Sequence, residues 1–190
     1  MRGAMGQPPR RAVAVECLTA VGWVSGRFHV PAQQSFIDFL QQGGAFLPLT
    51  DAILPGRPAP LPFFAVHRAG LALIAPDPAD ALLETLGAQG ITSPWSVTCA
   101  FPGGLLEGQI DFLTNQRLSD YLRVPQHFIL VREARWEPLL TDDARRHATR
   151  RDLPIAVVQL AELVGIAEAE TQRGRGHPGK LQPESELGMV

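Results

Sequence analysis

The feature that most constrains the fold is a repeat inside the chain. Sliding the sequence against itself by 82 residues sets "QSFIDFL" at 34–40 on "QRLSDYL" at 116–122. Identities fall at Val15/Val97, Cys17/Cys99, Gly22/Gly104, Gly26/Gly108, Gln34/Gln116, Asp38/Asp120, Leu40/Leu122, Phe46/Phe128 and Ala52/Ala134. Those are nine matches over the 38 ungapped positions 15–52, where ordinary residue frequencies would give roughly two or three. Mismatches keep their chemistry, as in Phe28 with Ile110, Phe39 with Tyr121 and Asp51 with Glu133. Past position 52 the register slips by ten, and "PFFAVHRAGLALI" from Pro62 aligns with "PIAVVQLAELVGI" from Pro154. The chain therefore reads as two copies of one unit, 13–75 and 95–168. Residues 76–94 connect them, and 1–12 and 169–190 read as flexible ends, being polar and rich in Gly and Pro.

Each unit reads as mainly β. In the first copy Val24, Phe28 and Val30 alternate with Ser25, Arg27 and His29; in the second Leu106, Ile110 and Phe112 alternate with Glu107, Gln109 and Asp111. Period-two alternation is the mark of a half-buried strand. Gly26 and Gly108 lie on the inward parity, which suits a bend or a close backbone approach. Phe36, Phe39 and Leu40, and likewise Leu118, Tyr121 and Leu122, have the i, i+3, i+4 spacing of a short helix. "FLPLTDA" and "FILVREA" then read as strands, and "FFAVHR"–"LALI" and "IAVVQL"–"LVGI" as pairs of short strands. Five short bent strands around one core make a small barrel. Between the copies, Asp77 as cap, Pro78 at the first turn and Gly87 at the stop punctuate a linker helix. The expected architecture is two tandem five-stranded small barrels, each with an inserted helix, joined by that linker helix.

The strings "GWVSGRFHV" and "GGLLEGQIDF", followed by "FLPLTDA" and "FILVREA", resemble the Sm-like and related small bacterial barrels. The unit is also similar to a bacterial family of unknown function with a "LSDYL"-type turn before a strand. The resemblance implies an SH3-like or Sm-like barrel. The Asn and Arg/Lys-Gly signatures that Sm-like proteins use to hold uridine-rich RNA are missing at the matching places, and a helix-like insert interrupts the strand order.

Composition narrows the function. A net charge of −2 argues against a bulk electrostatic partner such as duplex nucleic acid or an anionic membrane. Arginine carries nearly all the positive charge, Lys180 being the one lysine, which reads as the coding bias of a bacterial source. No apolar run reaches the ~20 residues of a membrane span, and none follows Arg2, Arg10 and Arg11 as a signal peptide would, so the expected location is the cytoplasm.

Motifs of catalysis and metal binding are missing. Cys17 and Cys99 have no near Cys or His partner and read as buried thiols. His29, His67, His127, His147 and His177 are scattered without ligand spacing. The paired acids Asp51/Glu133 and Asp38/Asp120 suit turns and caps. One basic cluster stands out in the longer loop of the second copy: "DDARRHATRRD", with Arg145, Arg146, Arg150 and Arg151. It reads as a solvated helical loop neutralised by Asp142, Asp143 and Asp152, or as a patch for phosphate or an acidic partner. Trp23 faces outward on its strand, where the second copy has Leu105, so something covers it, the other copy or a partner.

The sequence therefore leads to a non-enzymatic adaptor or assembly subunit that needs no cofactor. Its expected contact residues are Trp23, Arg27, His29, Arg145, Arg146, Arg150 and Arg151. The alternative is a nucleic-acid-binding regulator using the arginine-rich loop 145–151, and an enzyme of unrecognised type comes third.

Overall fold

The structure, a computed structural model, describes residues 9–80, 92–139 and 150–169. The first half runs β1 (Arg10–Thr19), β2 (Gly22–Pro31), α1 (Phe36–Gln42), β3 (Phe46–Ile53), β4 (Leu61–His67), a 3-10 turn (Arg68–Gly70) and β5 (Leu73–Pro76). The second repeats this order: β6 (Thr92–Phe101), β7 (Gly104–Leu113), α2 (Leu118–Tyr121), β8 (Phe128–Pro138), β9 (Arg151–Gln159), a 3-10 turn (Leu160–Glu162) and β10 (Gly165–Glu168). Loop hydrogen bonds recur at equivalent places. Arg68 N–H donates to Ala45 C=O at 2.7 Å, and Leu160 N–H to His127 C=O at 2.9 Å. Asp77 N–H reaches Ala14 C=O and Ala169 N–H reaches Ser96 C=O, both at 2.8 Å. Among the described residues no helix is long and apolar enough to cross a membrane.

All ten strands belong to one antiparallel sheet, in the order β10-β6-β7-β8-β9-β5-β1-β2-β3-β4. Each half supplies its strands in the same sequence: fifth, first, second, third, fourth. Among the described residues the sheet does not close. Two separate barrels were the expectation; the pairing is instead continuous. The reason is that β5 uses one side for β1 and the other for β9, so the last strand of the first half is a sheet interior. The linker helix falls largely on residues 81–91, outside the described residues. Its expected cap is present, with Ala79 N–H donating to Asp77 Oδ1 at 2.9 Å, but residues 78–80 form a turn. β1 begins at Arg10, inside the stretch expected to be flexible.

Alternation builds two cores. Val13, Val15, Val24, Phe28, Val30, Phe36, Leu40 and Leu49 are buried in the first cluster, and Val97, Leu106, Ile110, Phe112, Val131 and Trp136 in the second. The inserted helices differ for a local reason. Ser35 caps α1, accepting from Asp38 N–H at 3.0 Å, and its hydroxyl donates to Asp38 Oδ2 at 2.6 Å, which holds the cap in place. The second copy has Arg117 there, which makes no side-chain cap, and α2 spans only 4 residues against 7 in α1.

Gly26 and Gly108 sit where the β2·β3 and β7·β8 registers shift. A Cβ at Gly26 would lie 2.7 Å from Leu49 Cγ and 2.9 Å from Thr50 O. One at Gly108 would lie 2.5 Å from Val131 Cγ1 and 2.8 Å from Arg132 O. Backbone cannot move aside as a side-chain tip can. Gly26→Ala and Gly108→Ala should each cost about 1–3 kcal/mol, the range for overpacking. Urea unfolding of each variant measures it, and an unchanged midpoint would refute the close approach.

Candidate functional site

The residues singled out in the sequence come together only in part. Trp23 is half-buried and packs against the second half of the chain. Its ring meets Trp136 edge-on at 6.5 Å, and the Arg151 guanidinium lies 4.4 Å over it. Arg151 also forms an ion pair with Glu16. Trp23 and Arg151 therefore join the two halves, and both are committed within the chain. Arg150 is exposed, while Arg145 and Arg146 lie outside the described residues.

Arg27 is exposed, and His29 bonds Thr50 Oγ1 at 2.9 Å. At the equivalent place in the second copy Asp111 pairs with Arg132. The same cross-strand position is thus filled by a hydrogen bond to a hydroxyl in one half and an ion pair in the other. His67 and His127 are exposed. Among the described residues no group of three or more His, Cys, Asp or Glu is placed to hold a metal.

Two open clefts occupy equivalent positions. One is lined by Glu107, Gly108, Gln109, Glu133 and Arg135, the other by Ser25, Gly26, Arg27 and Asp51, and both by Asp152, Leu153 and Pro154. Each holds an acid in the left-handed backbone region: Asp51 at φ 51° and Glu133 at φ 48°. These residues follow the register shift at the glycines, so the bulge accounts for the unusual backbone. Gln109 Nε2 donates to Glu133 Oε2 at 3.1 Å, and Arg135 Nε to Asp152 Oδ1 at 3.2 Å. Glu133 and Asp152 are thereby engaged in cross-strand pairs.

The joint between halves is built from several bonds. Leu73 lies opposite Val158 and Ile74 opposite Val157. All four side chains are buried. Phe128 and Val157 of the second half enter the first core, and Leu73 of the first half enters the second core. Gln41 clamps the seam, donating from Nε2 to Phe128 C=O at 3.0 Å and accepting from His127 N–H at 2.8 Å. Gln159 N–H donates to Ala72 C=O at 3.1 Å.

Sequence reasoning missed what the ends of the sheet expose. β4 and β10 each have one side without a partner strand among the described residues. On or beside them, Phe46 is 61% exposed, Phe63 63% and Val164 74%. The alignment of Phe46 with Phe128 was visible, but not that one would be uncovered and the other buried. A search against known proteins finds no matching family model, curated protein or solved structure.

Both thiols are free and buried. Burial pushes Cys99 up to about 12 and raises Cys17 further, with the charge of Glu16 adding to the rise. Below the ordinary thiol pKa, about 8.5, folded and unfolded chains both keep the proton. Above it only the unfolded chain ionises, so stability falls as pH rises from about 8.5 toward about 12. The urea midpoint should drop between pH 7.5 and pH 10, less so in Cys17→Ala/Cys99→Ala. A thiol reagent at pH 8 should label neither cysteine until urea unfolds the chain; rapid native labelling would contradict the burial.

The Trp23 seam has its own test. Arg151→Ala should cost about 1 kcal/mol, since its ion pair is part-exposed. Trp23→Ala should cost about 2 kcal/mol or more through lost packing. Unfolding followed by tryptophan fluorescence measures both, and two wild-type midpoints would show that the seam contributes nothing.

Proposed function

We propose that the chain is a non-enzymatic adaptor or assembly subunit that binds other proteins. We further propose that it is an internally duplicated pair of small barrel-like β modules, each half of the sheet curling round its own core. The observation that carries the reading is the pair of sheet edges that have no partner strand among the described residues, with large apolar side chains beside them. An unpaired edge presents a row of backbone N–H and C=O groups, and an added strand satisfies them while neighbouring apolar residues supply specificity. β4, "LPFFAVH", has no lysine or acid, and Pro62 near its start is the one residue of a kind that commonly protects an edge. Phe46 stands edge-on to His67 at 4.9 Å, which extends the apolar surface across the end of the sheet.

Different outward side chains on matched strands favour asymmetric contacts. Arg27 and His29 on β2 correspond to Gln109 and Asp111 on β7. Two free buried thiols suit a reducing compartment, and we place the protein in the cytoplasm on that basis.

The test uses the full chain, tagged and expressed in its native source, beside Phe46→Glu/Phe63→Glu. Both positions are exposed, so the variant should fold, and circular dichroism checks that it does. Wild type should retain a stoichiometric protein companion, foreign or a further copy of itself, and the variant should lose it. Equal recovery by both, or no companion for either, would overturn the reading.

A further inference from the structure

We infer that β10 of one copy pairs with β4 of another, repeating between chains the joint that β5 and β9 make within the chain, so that copies assemble head to tail. The inference rests on reading the open edges as protein-binding, and it names the occupant as a second copy.

The internal joint supplies the template. β5 and β10 are equivalent strands, and so are β9 and β4. The chain therefore already contains one fifth-strand to fourth-strand joint, and it leaves the complementary halves of a second one at opposite ends of the sheet. Carrying the register across sets Gly165 opposite Val66 and Ile166 opposite Ala65, in place of Leu73 with Val158 and Ile74 with Val157. The backbone groups match as well. Val164 N–H donates to Ala100 C=O as Ala72 N–H does to Leu18 C=O, so Val164 C=O stands where Ala72 C=O accepts from Gln159. His67 takes the place of Gln159. On β4, Ala65 lies opposite Pro48, which has no N–H to offer. Ala65 thus turns its own N–H and C=O away from β3, toward the open edge.

Burial fits the same scheme. Phe128 at the internal joint is 1% exposed, while its counterpart Phe46 is 61% exposed. Val164, at 74%, lies on the complementary edge. A second copy would cover both, as the sister half covers Phe128. The match departs at the ladder, where Gly165 and Ala65 stand in place of the buried Leu73 and Val157, and again at the clamp. Gln41 corresponds to Arg123, an exposed residue paired with Asp120. An arginine donates but cannot accept, so it reaches the C=O of Phe46 and leaves the N–H of Ala45 without the clamp that His127 enjoys.

An interface between two different edges is heterologous. Repeated, it closes into a ring or continues as a filament, and it cannot give a symmetric dimer through one shared patch. That supplies a direct test with the purified full chain. Ala65→Glu blocks the β4 edge at an exposed position. Gly165→Glu blocks the β10 edge where an added Cβ meets nothing within 4 Å. Light scattering with size exclusion should show wild type assembled. Each variant alone should be monomeric with an unchanged circular dichroism spectrum. An equimolar mixture of the two should give a heterodimer, each chain contributing its one intact edge. Arg123→Gln should restore the missing acceptor and lower the concentration needed for assembly roughly fivefold.

A monomeric wild type at all concentrations, or variants that assemble like wild type, would overturn the inference. So would a mixture that stays monomeric. A monomeric pure protein that still holds a foreign companion through Phe46 and Phe63 would leave the adaptor reading standing without this one.

Discussion

The short ladder between β5 and β9 is the contact on which the molecule depends. It pairs only Leu73 with Val158 and Ile74 with Val157. Yet it turns two five-stranded halves into one sheet, because a buried strand edge cannot be left without hydrogen-bond partners. The side chains at the ladder then decide where each core ends. Phe128 fills space in the first cluster and Leu73 in the second, so neither core is complete without a residue from the other half. Gln41, and the stack of Trp23, Arg151 and Glu16, seal the seam on either side of the ladder.

Because the joint uses the fifth strand of one half and the fourth of the other, equivalent residues meet different surroundings. Phe46 and Phe128 share a letter and a place in the strand order, but one faces solvent and the other is enclosed. The helices diverge through one cap, Ser35 against Arg117. Asp51 and Glu133 keep the same left-handed backbone because both belong to a glycine-marked bulge. What is alike in the halves follows from packing around one core; what differs is set by which edge each half gives to its sister.

Much of the fold was legible because side-chain pattern carried it. Alternation located β2 and β7, the shared glycines marked the bulges, and "QSFIDFL" located α1. The continuous sheet was not legible, since strand-edge pairing is made by backbone groups that every residue has. Leu73 and Val158 are apolar in a way that suits either a closed barrel or an edge joint. Gln41 gave no hint that its amide would span to His127, 86 positions away. For the site, the outward parity of Trp23 left its cover open between a partner and the other half, and Trp136 and Arg151 of the other half lie against it. Arg151 was grouped with the arginines of a loop by proximity in sequence, whereas its place at the start of β9 sends it back to Glu16 on β1.

The separation in sequence between β5 and β9 bears on how the protein is made. Ile74 and Val157 are partners although some eighty residues of chain lie between them. At the roughly 5–20 residues per second of synthesis, the first half emerges with a bare apolar strand several seconds before its mate exists. A nascent chain in that interval presents the kind of surface that chaperones cover and that neighbouring nascent chains can capture.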